Sequence, residues 1–450
     1  MSHSHAHAHH HADPHAHSPA AAELAAVGNQ YIVVVEPHFA LYRYLRVVRS
    51  QGYRTLVLAI DPESTLAGER KNALRLAQEG GSQIDRLVPY ERLDVESLLA
   101  AVAPYRSEIA GVVAGEDAAV PIAAELGVAL GFPYARPEDA RCQHDKTAMK
   151  QRLVERGVRT PPFVVAQSLD EALAAWEHFG RDCMVKMVDF AASLNIFRAQ
   201  TREQLEVAWD TIAHNRRQVT AFFELSSAVI LEEFVGGREL TAEGYIQDGR
   251  VQVLNFSKKL TASNFIVVGH YIPALTTPEE ETQLAEIAEQ TVRALGLANS
   301  VFHVEVHIRD GVPYVIECAA RPPGQHTVEL IERTYGFDLM KISIDLATAK
   351  PVDLVRHPPR HHHAILALYT DATGVLERWE GVEEAKARGG VLHVNLGAQP
   401  GDTVHALDTF RNKYGIVILE SDSATDLREK AQWVRKHVRM VVRPTEEPAS

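Results

Sequence analysis

Residues Val301 to Gly324 read VFHVEVHIRDGVPYVIECAARPPG. Apolar and polar residues alternate as far as Ile308, which marks a half-buried strand; Asp310-Gly311 marks a tight turn, and PYVIECA a returning strand. Glu305 shares a face with His303 and His307, and Glu317 ends the return. Two carboxylates converging from a hairpin supply hard oxygen ligands suited to Mg²⁺ bridging phosphate groups. Register tests this. A two-residue Asp310-Gly311 turn would pair Glu305 with Ile316 and turn Glu317 away, whereas a three-residue loop centred on Gly311 would pair Glu305 with Glu317 on one face. The metal reading therefore predicts the odd-numbered loop, and its plain alternative is a pair of solvated strand carboxylates. Arg321 follows in a Pro/Gly-broken segment, where a planar guanidinium suits a carboxylate or an acyl phosphate, if it is not simply a solvent-facing loop arginine.

Upstream, Lys186 stands inside CMVKMV with apolar neighbours on both sides, so a fixed anion must lie near it unless the strand is a solvated edge. Lys146, in HDKTAMK, opens a helix. Two lysines arriving from different elements suit the α- and β-phosphates of a nucleotide. In VILEEFVGGREL a strand ends at Glu232, Glu233, Phe234 and Val235, turns at Gly236-Gly237 and re-enters a strand through Glu239. One carboxylate there can meet an exocyclic amine, while the backbone at Glu233 and Val235 is free for an adenine edge; the alternative is an ordinary charged hairpin end. His270, in VVGHYIP, reads either as a residue of a substrate-facing loop or as a packed structural histidine.

The surrounding chain sets the class. With 450 residues, 46% of them hydrophobic, it is long enough for several domain-sized cores. A formal charge of -13 argues against wholesale nucleic-acid or anionic-membrane binding and points to small-molecule partners. Cys142, Cys183 and Cys318 are too scattered for a disulfide framework, no apolar run is long enough to span a membrane, and the expected compartment is the cytoplasm. The histidine-rich stretch within residues 1–28 reads as a disordered tail: a metal-binding extension, a purification aid or a neutral one. Residues 29–137 alternate strand and helix, which implies a parallel α/β domain, and lack a G-x-G-x-x-G after the first strand. Residues 138–235 and 236–355 read as an α+β region with antiparallel hairpins, opening on one helical stretch after Pro137. Residues 356–445 read as a separate small α+β unit.

The ordered set Lys146, Lys186, LEEFVGGRE, Glu305 and IECAARPPG resembles the ATP-grasp superfamily over nearly the whole chain from Tyr31. ECAARPPG and LGAQPGDTV are most similar to L-amino-acid ligases of the dipeptide synthetase and carnosine-synthase type. The resemblance implies an ATP-grasp fold: an N-terminal parallel α/β domain, one subdomain with Lys146 and Lys186, a second with the metal glutamates, and the C-terminal unit. It implies that Lys146 and Lys186 hold ATP phosphates, that Glu232, Glu233, Phe234 and Val235 line adenine, and that Glu239 takes the ribose hydroxyls. Glu305 and Glu317 would carry Mg²⁺, or Mn²⁺, with Arg321 on the acyl phosphate, His270 near the substrates, and a homodimer as the assembly. Two positions depart from the family pattern. Ala319 stands where many members have Asn, leaving the metal shell thinner or completed by water, and DFAASLN after Lys186 has no glycine, so backbone amides and Ser193 would cover the phosphates.

The implied reaction is ATP-dependent joining of a carboxylate to an amine, both expected to be amino acids, through an acyl phosphate. Two rivals stand beside it: the same fold with another acceptor, such as bicarbonate or a carrier-protein thiol, and a non-catalytic nucleotide- or metal-binding protein.

Overall fold

The computed structural model describes residues 28–36, 41–60, 84–90, 92–189, 196–219, 226–324, 326–409 and 411–444. Nearly all of the histidine-rich tail, and Ser193, lie outside them.

Strands β1 (Tyr31–Val35), β2 (Arg54–Ile60), β3 (Arg86–Tyr90) and β4 (Ile109–Ala114) form a parallel sheet in the order β3-β2-β1-β4. A parallel sheet buried on both faces needs continuous apolar strands, and β1, YIVVV, is buried throughout. Tyr31, Val33 and Val35 pack under the helices Val95–Val102 and Val120–Leu130, whereas Ile32 and Val34 face the helices Leu41–Ser50 and Leu339–Ala347. The last helix docks closely because β4 offers Gly111 there: a Cβ on it would lie 2.7 Å from the Ala347 carbonyl oxygen.

The single helical stretch read after Pro137 is two helices, Pro137–Arg141 and Lys146–Glu155. Asp145 accepts from the Thr147 and Ala148 N–H groups at 2.8 and 3.0 Å, and this N-cap restarts the helix at Lys146. Next, β5 (Phe163–Ala166), β6 (Cys183–Met187), β7 (Ile196–Ala199) and β8 (Val229–Glu233) form an antiparallel sheet ordered β5-β8-β6-β7. Helices Leu169–His178 and Arg202–Val219 cover one face around Trp176, Val185 and Leu231. Strand β6 is interior to this sheet, which removes the solvated-edge reading of Lys186.

The largest sheet takes in β9 (Arg238–Gln247), β10 (Arg250–Thr261), β11 (Val267–Ile272), β12 (Ser300–Arg309), β13 (Val312–Ala319) and β14 (His362–Leu368). The chain then gives β15 (Gly374–Glu380), β16 (Val391–Leu396), β17 (Thr403–Val404), β18 (Gly415–Ser421) and β19 (Arg439–Pro444). The order β13-β12-β9-β10-β11-β14-β18-β16 carries the sheet across the supposed C-terminal boundary, with His270 of β11 paired to Ile365 of β14. The last unit thus shares a sheet with the one before it; its own β17-β15-β19 sheet lies apart. His270 accordingly stands inside a central strand and is buried, in place of the loop position read from VVGHYIP.

The decisive hairpin also departs from expectation. Arg309 pairs with Val312 across a two-residue turn whose residues, Asp310 and Gly311, both have positive φ, 52° and 76°. The odd-numbered loop is absent. A bulge leaves Ile316 out of the ladder between the Val306–Val315 and Glu305–Glu317 pairs, so the extra residue sits in the strand instead of the turn.

Candidate functional site

One face of the large sheet is apolar and the other polar. Leu240, Ala242, Val304, Val306 and Ile308 point into a core that includes Leu284, Ile287 and Val292 of helix Pro278–Ala294. The alternate residues Glu239, Thr241 and Glu243 of β9 and His303, Glu305 and His307 of β12 are register partners on the opposite face. Glu317 joins them from β13 through its pairing with Glu305. Period-two alternation thus gathers carboxylates and imidazoles on one face, and most of them have a cation or a hydrogen-bond donor beside them.

Glu305 lies 2.5 Å from Lys259 Nζ and 3.3 Å from His303 Nε2. Burial opposes its charge, but Lys259 and His303 hold its carboxyl well below the usual range. Lys259 also reaches Glu239 at 2.9 Å; burial lowers its pKa, and the two carboxylates more than reverse that. Beneath them Glu243 is fully buried and accepts from Thr241 Oγ1 at 2.5 Å and Asn255 Nδ2 at 2.5 Å, with His303 Nδ1 at 2.9 Å. Against the cost of burial, Glu243 and Glu305 lift the His303 imidazole to about 9. Ala319, where the family pattern has Asn, is the ladder partner of His303.

The antiparallel sheet faces this floor. Lys186 is buried, and the fixed anion its position demands is Glu232: Nζ lies 2.9 Å from Oε2. Lys150 Nζ approaches the same oxygen at 3.3 Å. Burial would raise the Glu232 carboxyl, but Lys150 and Lys186 hold it below its ordinary value. Its side chain is therefore engaged inside the fold, in place of the adenine contact expected at a strand end. Glu233 is held by Arg309 Nη1 at 2.9 Å, and Arg198 lies over the Phe234 ring, 3.5 Å from its centroid. The Glu233 N–H donates to the Pro162 carbonyl at 2.9 Å, and the Val235 carbonyl lies 2.9 Å from His307 Nδ1, so two of the backbone groups expected to be free are taken. Lys146 donates its backbone N–H to Val188 at 2.9 Å, just beyond β6, and its Nζ stands 3.4 Å from Glu317 Oε1.

Arg321 reaches the third unit. Its Nε and Nη2 form a bidentate pair with Asp117, which opens the short 3-10 helix Asp117–Ala119 after β4, and Nη1 donates to the Pro322 carbonyl at 2.7 Å. Burial pushes the Asp117 carboxyl up, and Arg321 more than offsets it, so the group stays below its ordinary range. The guanidinium fork is aimed by Asp117 and keeps further N–H donors on its outer nitrogens.

The structure joins Glu305 and Glu317 with Lys146, Lys259 and Glu239 in one set of contacts, sets Lys186 on Glu232 in a second, and holds Arg321 on Asp117 of the N-terminal domain. Among the described residues no group of three or more His, Cys, Asp or Glu side chains is arranged to hold a metal. A protein-only cage does not fit. Mg²⁺ shared between one or two carboxylates and substrate phosphates does, because such sites draw the rest of their shell from phosphate and water. Lys259, Lys150, Glu243 and Asp117 escaped the sequence reading. A signal existed for Lys259 and Glu243, since Asn255, Ser257 and Lys259, like Glu239, Thr241 and Glu243, recur with period two. Lys150 follows Lys146 by one helical turn. Nothing local marks Asp117, whose partner is 204 residues away.

Comparisons with known proteins bear on the fold and its domains. An ATP-grasp domain matches residues 179–329, and the L-amino acid ligase C-terminal domain 2 matches residues 366–443. Dapdiamide A synthase of Enterobacter agglomerans is 23% identical over 354 residues, covering 76% of this chain and 82% of that protein. The alanine–anticapsin ligase of Bacillus subtilis is 23% identical over 241 residues, 50% of this chain, and the match spans about half, 51%, of that relative's length. The crystal structure of an L-amino acid ligase from Bacillus licheniformis superposes with a TM-score of 0.72 at 20% identity, covering 92% of this chain and 99% of that one. The fold is that of the ATP-grasp proteins, an ATP-grasp domain lies within it, and the two relatives named above are a synthase and a ligase. The chain also carries the C-terminal domain of the L-amino acid ligases.

Proposed function

We propose that the protein is an ATP-dependent carboxylate–amine ligase that joins two amino acids through an acyl phosphate. The observation that carries this reading is the facing of two carboxylates, Glu305 and Glu317, with Lys146 beside Glu317, Lys259 beside Glu305 and Arg321 aimed close by.

Lys146 opens a helix whose first N–H groups are taken by Val188 and Asp145, so its ammonium alone would draw an anion there. Lys186 and Lys150 share the single charge of Glu232, which leaves net positive charge for nucleotide phosphates. The Glu233 carbonyl and Val235 N–H, the two groups not used by the bonds described above, would read an adenine edge, and Glu239 would meet the ribose. Bound Mg²⁺ would neutralise the phosphate oxygens, held by Glu305 and Glu317. The substrate carboxylate attacks the γ-phosphorus in line, the bond to the bridging oxygen breaks, and ADP leaves. Arg321 holds the acyl phosphate and the oxyanion formed when the amine adds to the carbonyl carbon; phosphate then departs and the amine's proton passes to solvent.

ADP release screened against pairs of amino acids, followed by mass analysis of the products, tests the reading. ADP release with a product heavier by one amino acid residue is expected. Ligation surviving at near wild-type rate in Arg321→Ala or Glu317→Ala protein would sink the assignment of roles. An absence of ADP release with every pair would favour the non-catalytic rival.

A further inference from the structure

Lys150, which shares the charge of Glu232 with Lys186, and Thr160 are buried polar residues to which no contact with a reacting group is assigned above. Lys150 is 1% exposed, and burial pushes its ammonium down to about 8 against the pull of Glu232. It is held at two points: Nζ donates to Thr160 Oγ1 at 2.9 Å and lies 3.3 Å from Glu232 Oε2. Thr160 Oγ1 in turn donates to the Val315 carbonyl at 2.8 Å, and the Val315 N–H donates to the Arg159 carbonyl at 2.9 Å. Val315 borders the bulged Ile316 and precedes Glu317 by two residues. Because β13 is the edge of its sheet, residues 159 and 160 grip its outer side at the bulge. A buried chain of contacts thus runs from Lys186 through Glu232, Lys150 and Thr160 to the backbone that places Glu317 opposite Glu305.

We infer that Lys150 and Thr160 are positioning residues that couple nucleotide binding at Lys186 to divalent-cation binding at Glu305 and Glu317. This rests on the nucleotide reading above. One carboxylate serves two ammoniums, so a phosphate that takes over Lys186 leaves Glu232 to Lys150. Lys150 Nζ is then drawn across its 3.3 Å gap and away from Thr160, which alters the grip of Thr160 on Val315 and with it the bulge. Such coupling is reciprocal: whatever the nucleotide does for the cation, the cation does for the nucleotide.

The test is the ADP affinity of the full chain with and without Mg²⁺, measured by calorimetry for wild type, Thr160→Val and Thr160→Ser. Valine keeps the shape and removes the hydroxyl; serine keeps the hydroxyl. Mg²⁺ is expected to tighten ADP binding in the wild type, and Thr160→Val to lose about 5-fold of that enhancement with its Mg²⁺-free affinity unchanged. Thr160→Ser should retain the wild-type ratio, an outcome that a packing role alone does not produce. A Thr160→Val protein with the wild-type ratio, or one weakened equally in both conditions, overturns the coupling, as does a wild type indifferent to Mg²⁺. If the valine variant does not fold, Lys150→Gln takes its place: a reduced ratio supports the coupling and an unchanged ratio overturns it. A wild type that binds no ADP overturns the nucleotide reading as well, which separates the two failures.

Discussion

Glu305 and Glu317 face one another across the β12–β13 ladder, and Ile316 is bulged out between them and the turn. Without the bulge, the Asp310-Gly311 turn would oppose Glu305 to Ile316 and send Glu317 to the apolar face. The two carboxylates nevertheless differ in setting. Glu305 stands between Lys259 and His303 with its side chain 19% exposed, whereas Glu317 is 29% exposed with Lys146 as its cation.

Glu317→Ala should therefore fold nearly as well as wild type while lowering ADP release by about 100-fold or more, the usual scale for losing one charge-stabilising group at a reacting centre. Thermal unfolding and ADP release measured on the same preparation check both halves. A fall in melting temperature matching the loss of activity would point to a structural carboxylate instead.

Glu232→Ala should do the opposite. It strands the buried ammoniums of Lys150 and Lys186 without their shared carboxylate, which costs roughly 3–5 kcal/mol when a buried pair loses one partner. Glu233→Ala removes only a half-exposed bridge to Arg309 and should change stability by under about 1 kcal/mol. Urea unfolding of the two variants separates them, and equal midpoints would refute the placement of Glu232.

These neighbouring glutamates show what the sequence could and could not reveal. EE at a strand end announces two carboxylates, and the strand period says that they point to opposite faces. Which of them meets a lysine depends on β6 and the helix Lys146–Glu155 coming together, and no local pattern encodes that. The parallel N-terminal sheet was legible because β1, β2 and β4 hold apolar runs; β3, RLVPY, is an exposed edge strand without one. The register of the metal hairpin was legible only as a demand that Glu305 oppose Glu317; turn chemistry specified the two-residue turn that forms, and the bulge that reconciles the two carries no signature in YVIEC. The seam at β11–β14 was hidden because the strand VVGHYI is short and bounded by residues that read as loop.

Asp117→Asn should leave ADP binding intact and lower turnover roughly 10- to 100-fold. The substitution keeps the side-chain shape but replaces one acceptor oxygen of the bidentate pair with a donor, so the Arg321 fork loses its fixed aim without leaving the site. Calorimetric ADP binding and the rate of ADP release, taken together, test this. Weakened ADP affinity with unchanged turnover would place Asp117 in the nucleotide pocket.

Lys413 supplies a pH dependence with a defined sign. Its Nζ donates to the Val267 carbonyl at 3.1 Å, and burial alone pushes it from 10.5 to about 8. Between those two values the unfolded chain holds a proton that the folded protein has released, so stability rises with pH across that window. Below it the folded state carries the full cost of a charged group in a desolvated position. Lys413→Met removes the cost together with the hydrogen bond, and should stabilise the protein by about 1 kcal/mol at neutral pH. Its advantage should fade as pH approaches 10.5. Lys150 carries a similar downward shift in both proteins and cancels in the difference. Urea unfolding of the pair at neutral pH and again near the upper value reads the effect; an advantage that grows with pH would mean that Lys413 has an anionic partner in the folded protein.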